Sequence, residues 1–230
     1  GIRLAEEALA ANWMPDLVLF SEGISQRGRA TIDQLTAKHH DVEEVRPNLL
    51  NRISDTRQSQ GLIMVLPIHN IELRKNNDRL LVLDNIRDPG NVGAILRSAA
   101  ALQFTSVIMT PGNADPYSPK VLRAGMGAHF RIGMHFMDPE AILEFCKHTN
   151  TPALTIFLAE PERGRYCWEC DLTQPVCLII GGEAEGVTSE LETITDQYIQ
   201  IPMLPTCESF NAAISASILM YETNRQREMR

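Results

Sequence analysis

The chain has 230 residues, 44% of them apolar and 22% charged, enough to bury a core of one or two domains. Its formal net charge of −8 argues against a protein that holds nucleic acid by bulk attraction, since such binding rests on many Lys and Arg contacts to phosphate. No apolar run approaches the roughly 18 residues of a membrane span, and the opening GIRLAEEALAANW lacks the charged-then-apolar layout of a signal peptide.

Apolar residues at helical spacing predict a helix over 4–12, and DLVLF predicts a short buried strand over 16–20. The rhythm repeats with TIDQLTAKH as a helix, VEEV as a strand, PNLLNRIS as a helix opened by Pro47, and GLIMVLP as a strand ended by Pro67. Residues 1–67 therefore read as one small α/β domain. The stretch HNIELRKNNDR loses apolar periodicity and gains charge, which makes 68–78 a linker. Residues 79–230 then read LLVLDNI (strand), NVGAILRSAAAL (helix), SVIMT (strand), SPKVLRAGM (helix) and HFMDPEAILEFCKH (turn and helix). ALTIFLA (strand), VCLIIG (strand), TSELETI (helix), QYIQIP (strand) and NAAISASILMYETNRQR (helix) complete the series. Continuous apolar strands alternating with helices call for a mainly parallel sheet with helices on both faces.

Five cysteines, Cys146, Cys167, Cys170, Cys177 and Cys207, are an odd number and suit reduced thiols better than a disulfide scaffold. Cys167 and Cys170 form half of a zinc pattern, with Cys146 and His148 as conceivable partners. With no second CxxC, two half-buried thiols are the better reading and no metal is expected. A cytoplasmic location follows as the default. A first residue of Gly rather than Met points to numbering that begins inside a longer gene product.

Three segments place polar residues where an α/β core prefers apolar ones, each where an apolar run meets a Gly- or Pro-broken turn. In DPGNVGAILRSAA a tight turn precedes a helix expected to start near Asn91, so backbone N–H groups face the site. Asn91 alone would be read as a helix cap. Arg97, flanked by Ala94, Ile95, Ala99 and Ala100, is a charge that needs a partner such as phosphate or carboxylate. In GGEAEG the glycines permit close backbone approach and positive φ, with Glu183 as the candidate carboxylate and Glu185 as a solvent-facing one. This segment has neither the GxGxxG of a dinucleotide fingerprint nor the GK[ST] of a P-loop, so NAD and ATP readings lose their support. The third segment, IPMLPTCESFNAAI, runs from a strand end at Ile201 to a helix beginning near Asn211.

In order, spacing and residue type, these segments resemble motifs one, two and three of the SpoU/TrmH family of RNA ribose 2′-O-methyltransferases, and the resemblance covers nearly the whole chain. It implies an N-terminal RNA substrate-binding domain and a C-terminal catalytic domain with a trefoil knot, which general folding rules would not supply. It implies methyl transfer from S-adenosylmethionine to a ribose 2′-hydroxyl, with ribosomal RNA favoured over transfer RNA, and a homodimer; that no membrane partner is expected follows from the absence of a long apolar run. Arg97, Asn91, Glu183 and Asn211 take the catalytic positions, and backbone groups near Gly181, Gly182, Ile201, Met203, Ser209 and Phe210 take the cofactor. SFN stands here where the family has SLN, so Phe210 replaces a leucine. Gly182 and Gln103-Phe104 are smaller departures.

Neutralising a guanidinium at pH 7 costs roughly 7–9 kcal/mol from its reference pKa. The resemblance implies a base role for Arg97; at that cost Arg97 is expected instead to hold phosphate and stabilise negative charge, acting as base only where a phosphate relays the proton, with Asn91, Glu183 and Asn211 orienting it and the ribose. RNA contacts on a chain of net charge −8 need local basic patches, for which Arg46, Arg52 and Arg57 and then Lys120, Arg123 and Arg131 are candidates. The rival readings are a non-catalytic RNA-binding protein that keeps the fold and an ordinary doubly wound nucleotide enzyme.

Overall fold

The structure is a computed structural model that describes residues 1–38, 41–54, 59–69, 71–183 and 185–228. Its contacts divide the chain into two units, Gly1–His69 and Asn70–Arg230. Arg57, one of the basic residues named above, lies outside the described residues.

In the first unit, helix α1 (Ile2–Ala10) buries Ile2, Ala5 and Leu9, the i, i+3, i+7 stripe of an amphipathic helix. It leads to β1 (Leu17–Phe20). Helix α2 (Gln26–Ala37) begins earlier than its apolar pattern, because the Ser25 side chain caps it by accepting from the Gly28 N–H and the first turn is polar. β2 (Val42–Glu44), α3 (Pro47–Ile53) and β3 (Leu62–Val65) follow. The sheet has the order β2-β1-β3, parallel on one side of β1 and antiparallel on the other. Val18, Phe20, Ile32, Leu35 and Leu62 form its core.

The second unit starts with β4 (Arg79–Asp84), α4 (Pro89–Ala101), β5 (Ser106–Met109), α5 (Pro119–Gly125) and β6 (Gly133–Phe136). It continues through α6 (Pro139–Glu144), β7 (Thr155–Ala159), β8 (Arg165–Tyr166) and β9 (Val176–Gly181). It closes with α7 (Ser189–Thr193), β10 (Gln197–Gln200) and α8 (Ala212–Glu228). Seven strands pair in the order β6-β5-β4-β9-β7-β10-β8, and every pairing is parallel. Two apolar layers sandwich this sheet. One unites Leu81 and Leu83 with Ile95, Leu96, Leu219 and Met220, and the other unites Leu80 and Val82 with Ile142 and Leu191. The expectation of a parallel sheet covered on both faces therefore holds.

Two strands escape the sequence reading. β6 was expected as part of a turn, and β8 was not expected at all. From β4 the chain winds outward through β5 to β6, while β9, β7 and β10 fill the other side. The carboxyl ends of β4 and β9, where Asp84 faces Gly181 in register, thus lie where winding reverses and an open α/β sheet leaves a crevice.

Candidate active site

Helix α4 is capped by Asp88, whose side chain accepts from the Asn91 N–H at 3.0 Å, with Pro89 in the first turn. Asn91 is therefore inside the helix and is not its cap, which frees its side chain. That side chain meets two others. Asn91 Nδ2 donates to Glu183 Oε1 at 2.7 Å, and Asn211 Nδ2 donates to the same oxygen and to Asn91 Oδ1, both at 3.0 Å. The Ala212 N–H adds a fourth bond, to Glu183 Oε1 at 3.3 Å. Asn211 in turn accepts from the N–H groups of Ala213 and Ile214 and so caps α8. Three segments far apart in sequence are tied at one carboxylate oxygen, which also sits at the positive end of α8. Hydrogen bonds to a charged acceptor contribute about 1.5–3 kcal/mol each when buried and less at an exposed position such as Glu183.

Beside this triad lies a cleft of about 370 Å³. Its lining contains all six residues expected to hold the cofactor, Gly181, Gly182, Ile201, Met203, Ser209 and Phe210, together with Glu183. The volume falls in the range of small-molecule sites, about 300–1,000 Å³. A second cavity of about 470 Å³ shares Pro161, Ile201, Met203 and Glu208 with it but touches none of the three triad residues. At Gly182 a Cβ would stand 2.2 Å from the Asn85 carbonyl oxygen, so only glycine fits there. The expected positive φ belongs instead to Gly186, at 64°. A Cβ on Gly181 would meet the Gly186 carbonyl carbon at 2.7 Å and the Val187 side chain at 2.9 Å. Gly181→Val would therefore displace the turn itself and is a poor probe of cofactor contact alone.

Arg97 stands apart from the triad. It was expected as a charge inside an apolar helix that Asn91, Glu183 and Asn211 would orient. It is exposed on α4 and takes no part in their hydrogen bonds. The buried stripe of α4 is Val92, Gly93, Ile95, Leu96 and Ala99, whereas Ala94 and Ala100 are only partly buried, so the flanking alanines did not signify a core position. The candidate basic residues Arg46, Arg52, Lys120, Arg123 and Arg131 are all exposed, with Lys120 3.5 Å from Asp88. Glu185 is exposed and pairs with Arg87 at 2.6 Å.

The cysteine geometry runs against a shared metal site. Cys167 and Cys170 are fully buried, not half-buried, in the apolar layer of α4 and α8, while Cys146 lies in the opposite layer against Cys177. Among the described residues no three His, Cys, Asp or Glu side chains gather as metal ligands.

Two acidic residues went unnoticed in the sequence. Asp84, at the end of β4, is fully buried. Its carboxylate accepts from the Thr188 N–H at 2.7 Å and from the Thr110 hydroxyl, tying the turn that carries Glu183 to the ends of β4 and β5. Glu160 follows β7 and lines the cleft, and burial pushes its carboxyl above the usual range while Arg163 pulls it down. Neither stands in a motif-like context, and only the strand order brings them to the site.

Comparison with known proteins follows the same division of the chain. The profile of the SpoU rRNA Methylase family matches residues 78–221, and one described as RNA 2′-O ribose methyltransferase substrate binding matches residues 1–71. Human mitochondrial rRNA methyltransferase 3 is 30% identical, with 98% of this chain aligned to 66% of that protein. The 23S rRNA (uridine(2479)-2′-O)-methyltransferase of Streptomyces viridochromogenes is 27% identical over 99% of this chain and 82% of its own length. The crystal structure of the SpoU methyltransferase AviRb from the same organism, in complex with AdoMet, superposes with a TM-score of 0.86 at 25% identity. That match covers 100% of this chain and 90% of the other.

Proposed function

The chain belongs to the SpoU rRNA methylase family, and from that premise we propose that it transfers a methyl group from S-adenosylmethionine to a ribose 2′-hydroxyl of ribosomal RNA. The observation that carries the reading is the Asn91–Glu183–Asn211 triad at the mouth of a cleft lined by Gly181, Gly182, Ile201, Met203, Ser209 and Phe210. S-adenosylmethionine supplies an activated methyl group, and the chain supplies binding, orientation and charge. The cleft has a cofactor-sized volume, a backbone wall at Gly181 and Gly182, and apolar cover from Ile201, Met203 and Phe210. Glu183 Oε1 already accepts three N–H groups, so it organises the site and does not take the hydroxyl proton at that oxygen. Arg97, exposed and outside that network, is free to hold a substrate phosphate through its planar fork and to stabilise charge developing at the ribose oxygen, whose proton passes by way of that phosphate to water as the thioether leaves.

Ribosomal RNA is favoured over transfer RNA because relatives matched over nearly the whole of this chain carry rRNA names; the profile matched by the N-terminal unit is one of RNA substrate binding. The trefoil knot belongs to the same reading. Its support is that α8 packs on α4 and β9 while its last turn also bonds to the chain joining β8 to β9, through Gln226 to the Cys167 carbonyl and Arg227 to the Leu172 carbonyl. A homodimer and a cytoplasmic location complete it, supported by apolar residues exposed on α8 and by five free thiols. Among the described residues no helix is long and apolar enough to cross a membrane. The test is radiolabelled methyl transfer to ribosomal RNA followed by mapping of the modified ribose. A folded protein that binds the RNA and transfers no label supports the non-catalytic alternative.

A further inference from the structure

This inference rests on the S-adenosylmethionine reading and concerns how the cleft tells cofactor from spent cofactor. Among the described residues that line it, three are carboxylates, Glu160, Glu183 and Glu208, and none is Lys, Arg or His. The three are not equivalent. Glu183 is committed to the Asn91 and Asn211 amides and the Ala212 N–H, and Glu208 is exposed on the loop before α8. Glu160 is half-buried, and its carboxylate makes no hydrogen bond or ion pair among the described residues. Arg163, the cation that acts on it, is ion-paired with Glu192 and stacked 4.0 Å over the Tyr198 ring, and it does not line the cleft.

The position of Glu160 follows from the sheet. Leu158 lies opposite Ile179 in the parallel register of β7 and β9, so Glu160 leaves β7 beside Gly181. Neighbouring strands stand about 4.8 Å apart, which puts this carboxylate one strand away from the turn that carries Glu183. We propose that Glu160 is a specificity-determining residue whose carboxylate makes the cleft prefer S-adenosylmethionine to S-adenosylhomocysteine.

The two ligands differ by one methyl group and one positive charge: the sulfur is a sulfonium in the first and a neutral thioether in the second. A ligand's hydrophobic and hydrogen-bonding contacts scarcely distinguish them, whereas a fixed negative charge does. Half-burial matters because it limits the water that would otherwise screen that charge. At an effective dielectric near 20, a unit negative charge about 12 Å from a unit positive one changes a binding constant about tenfold, and a closer one changes it more. The consequence for turnover is that the cleft loosens its hold as soon as the methyl group has left.

The experiment is calorimetric titration of both ligands into the full chain, as wild type, Glu160→Gln and Glu162→Gln. The last removes the same charge from an exposed neighbour outside the cleft. Glu160→Gln is expected to weaken S-adenosylmethionine about tenfold and S-adenosylhomocysteine less than twofold, while Glu162→Gln leaves their ratio unchanged. An unchanged ratio in Glu160→Gln, or an equal shift in Glu162→Gln, overturns the proposal while leaving the methyltransferase reading intact. A wild-type protein that binds neither ligand overturns both. A thermal melt of each variant separates a lost contact from a lost fold, and Glu160→Ala must shift the ratio in the same direction as Glu160→Gln.

Discussion

At the scale of single residues, Arg97 and Asp84 separate reactivity from architecture. Arg97 is exposed and outside the triad, so its removal costs the fold little. Arg97→Ala should keep the melting temperature within a degree or two and leave S-adenosylmethionine affinity unchanged, yet lose methyl transfer by several orders of magnitude. Arg97→Lys should fail nearly as badly, because an ammonium does not reproduce a planar phosphate fork. Near-normal turnover by Arg97→Ala would remove the residue from the mechanism. Asp84 is the opposite case, a buried carboxylate whose partners are the Thr188 N–H and the Thr110 hydroxyl. Asp84→Ala leaves the Thr188 N–H without its acceptor, at about 1–3 kcal/mol for a buried group, whereas the Thr110 hydroxyl keeps the Leu83 and Pro111 carbonyls as acceptors. It should lower the melting point and loosen the Glu183 turn, seen as faster amide exchange at Thr188. The two residues also mark what the sequence could and could not disclose. Asn91, Glu183 and Asn211 were legible because polar residues at strand ends interrupt apolar runs. Arg97 stood out in the sequence as a charge among apolar neighbours but is not internal, since Ala94 and Ala100 count as apolar while sitting on a partly solvated face. Asp84 resembles any acid that ends a strand until its pairing with the Thr188 turn is known.

At the scale of elements, the sequence discloses long periodic segments and hides short ones. α4, β9 and α8 carry enough apolar periodicity to be read directly. β6 was absorbed into a turn because GMHF opens on Gly and ends on Phe136, which is 62% exposed, so neither alternation nor a buried run shows. β8 has only two residues, both exposed, and exists because β10 lends it a parallel partner. Packing between α4 and α5 offers a test of close approach. A Cβ on Gly93 would lie 2.4 Å from Ala124 Cβ and 2.8 Å from the Val121 carbonyl oxygen, whereas one on Gly90 meets chiefly the Asp88 side chain. Gly93→Ala should therefore destabilise the protein by about 1–3 kcal/mol, the usual cost of overpacking, and Gly90→Ala should cost clearly less in the same urea titration. The end of α8 offers a test of charge. Glu222 accepts a bidentate pair of bonds from Arg225, both 2.7 Å, and this holds its carboxyl below the ordinary value of 4.5. A depressed carboxyl stabilises the fold above its unfolded value and loses that effect as pH falls through the folded one. Glu222→Gln should thus lower the melting point at neutral pH, and the gap to the parent should close below pH 4.5. A gap that is constant with pH would mean that the loss is one of packing rather than charge.

At the scale of the whole molecule, a chain of net charge −8 acts on a polyanion, so its RNA contacts must be local, and its active surface must be completed by something other than bulk charge. Helix α8 indicates what completes it. Its inner side buries Ala212, Ala216, Leu219 and Met220, yet Ile214 and Tyr221 on the outer side are 50% and 59% exposed. With Ile218 between them, these form an i, i+4, i+7 stripe, so the helix is apolar on more sides than one sheet can cover. A second copy of the same face is the simplest cover, since a two-fold interface pairs one patch with itself. The Ser98–Ser217 hydroxyl contact, 2.8 Å, shows that α4 shares this side of the molecule, and Arg97 is its exposed neighbour. Association across α8 would then enclose Arg97 in a deeper, drier site than one subunit offers, where its charge acts on a phosphate with less screening. Light scattering of the wild-type protein should give the mass of a dimer, and Tyr221→Glu should give a folded monomer, because a carboxylate buried in a self-paired stripe faces its own copy. The monomer should retain most of its S-adenosylmethionine affinity and lose methyl transfer. A wild-type protein that is monomeric at assay concentration and fully active would show that a single subunit completes the site.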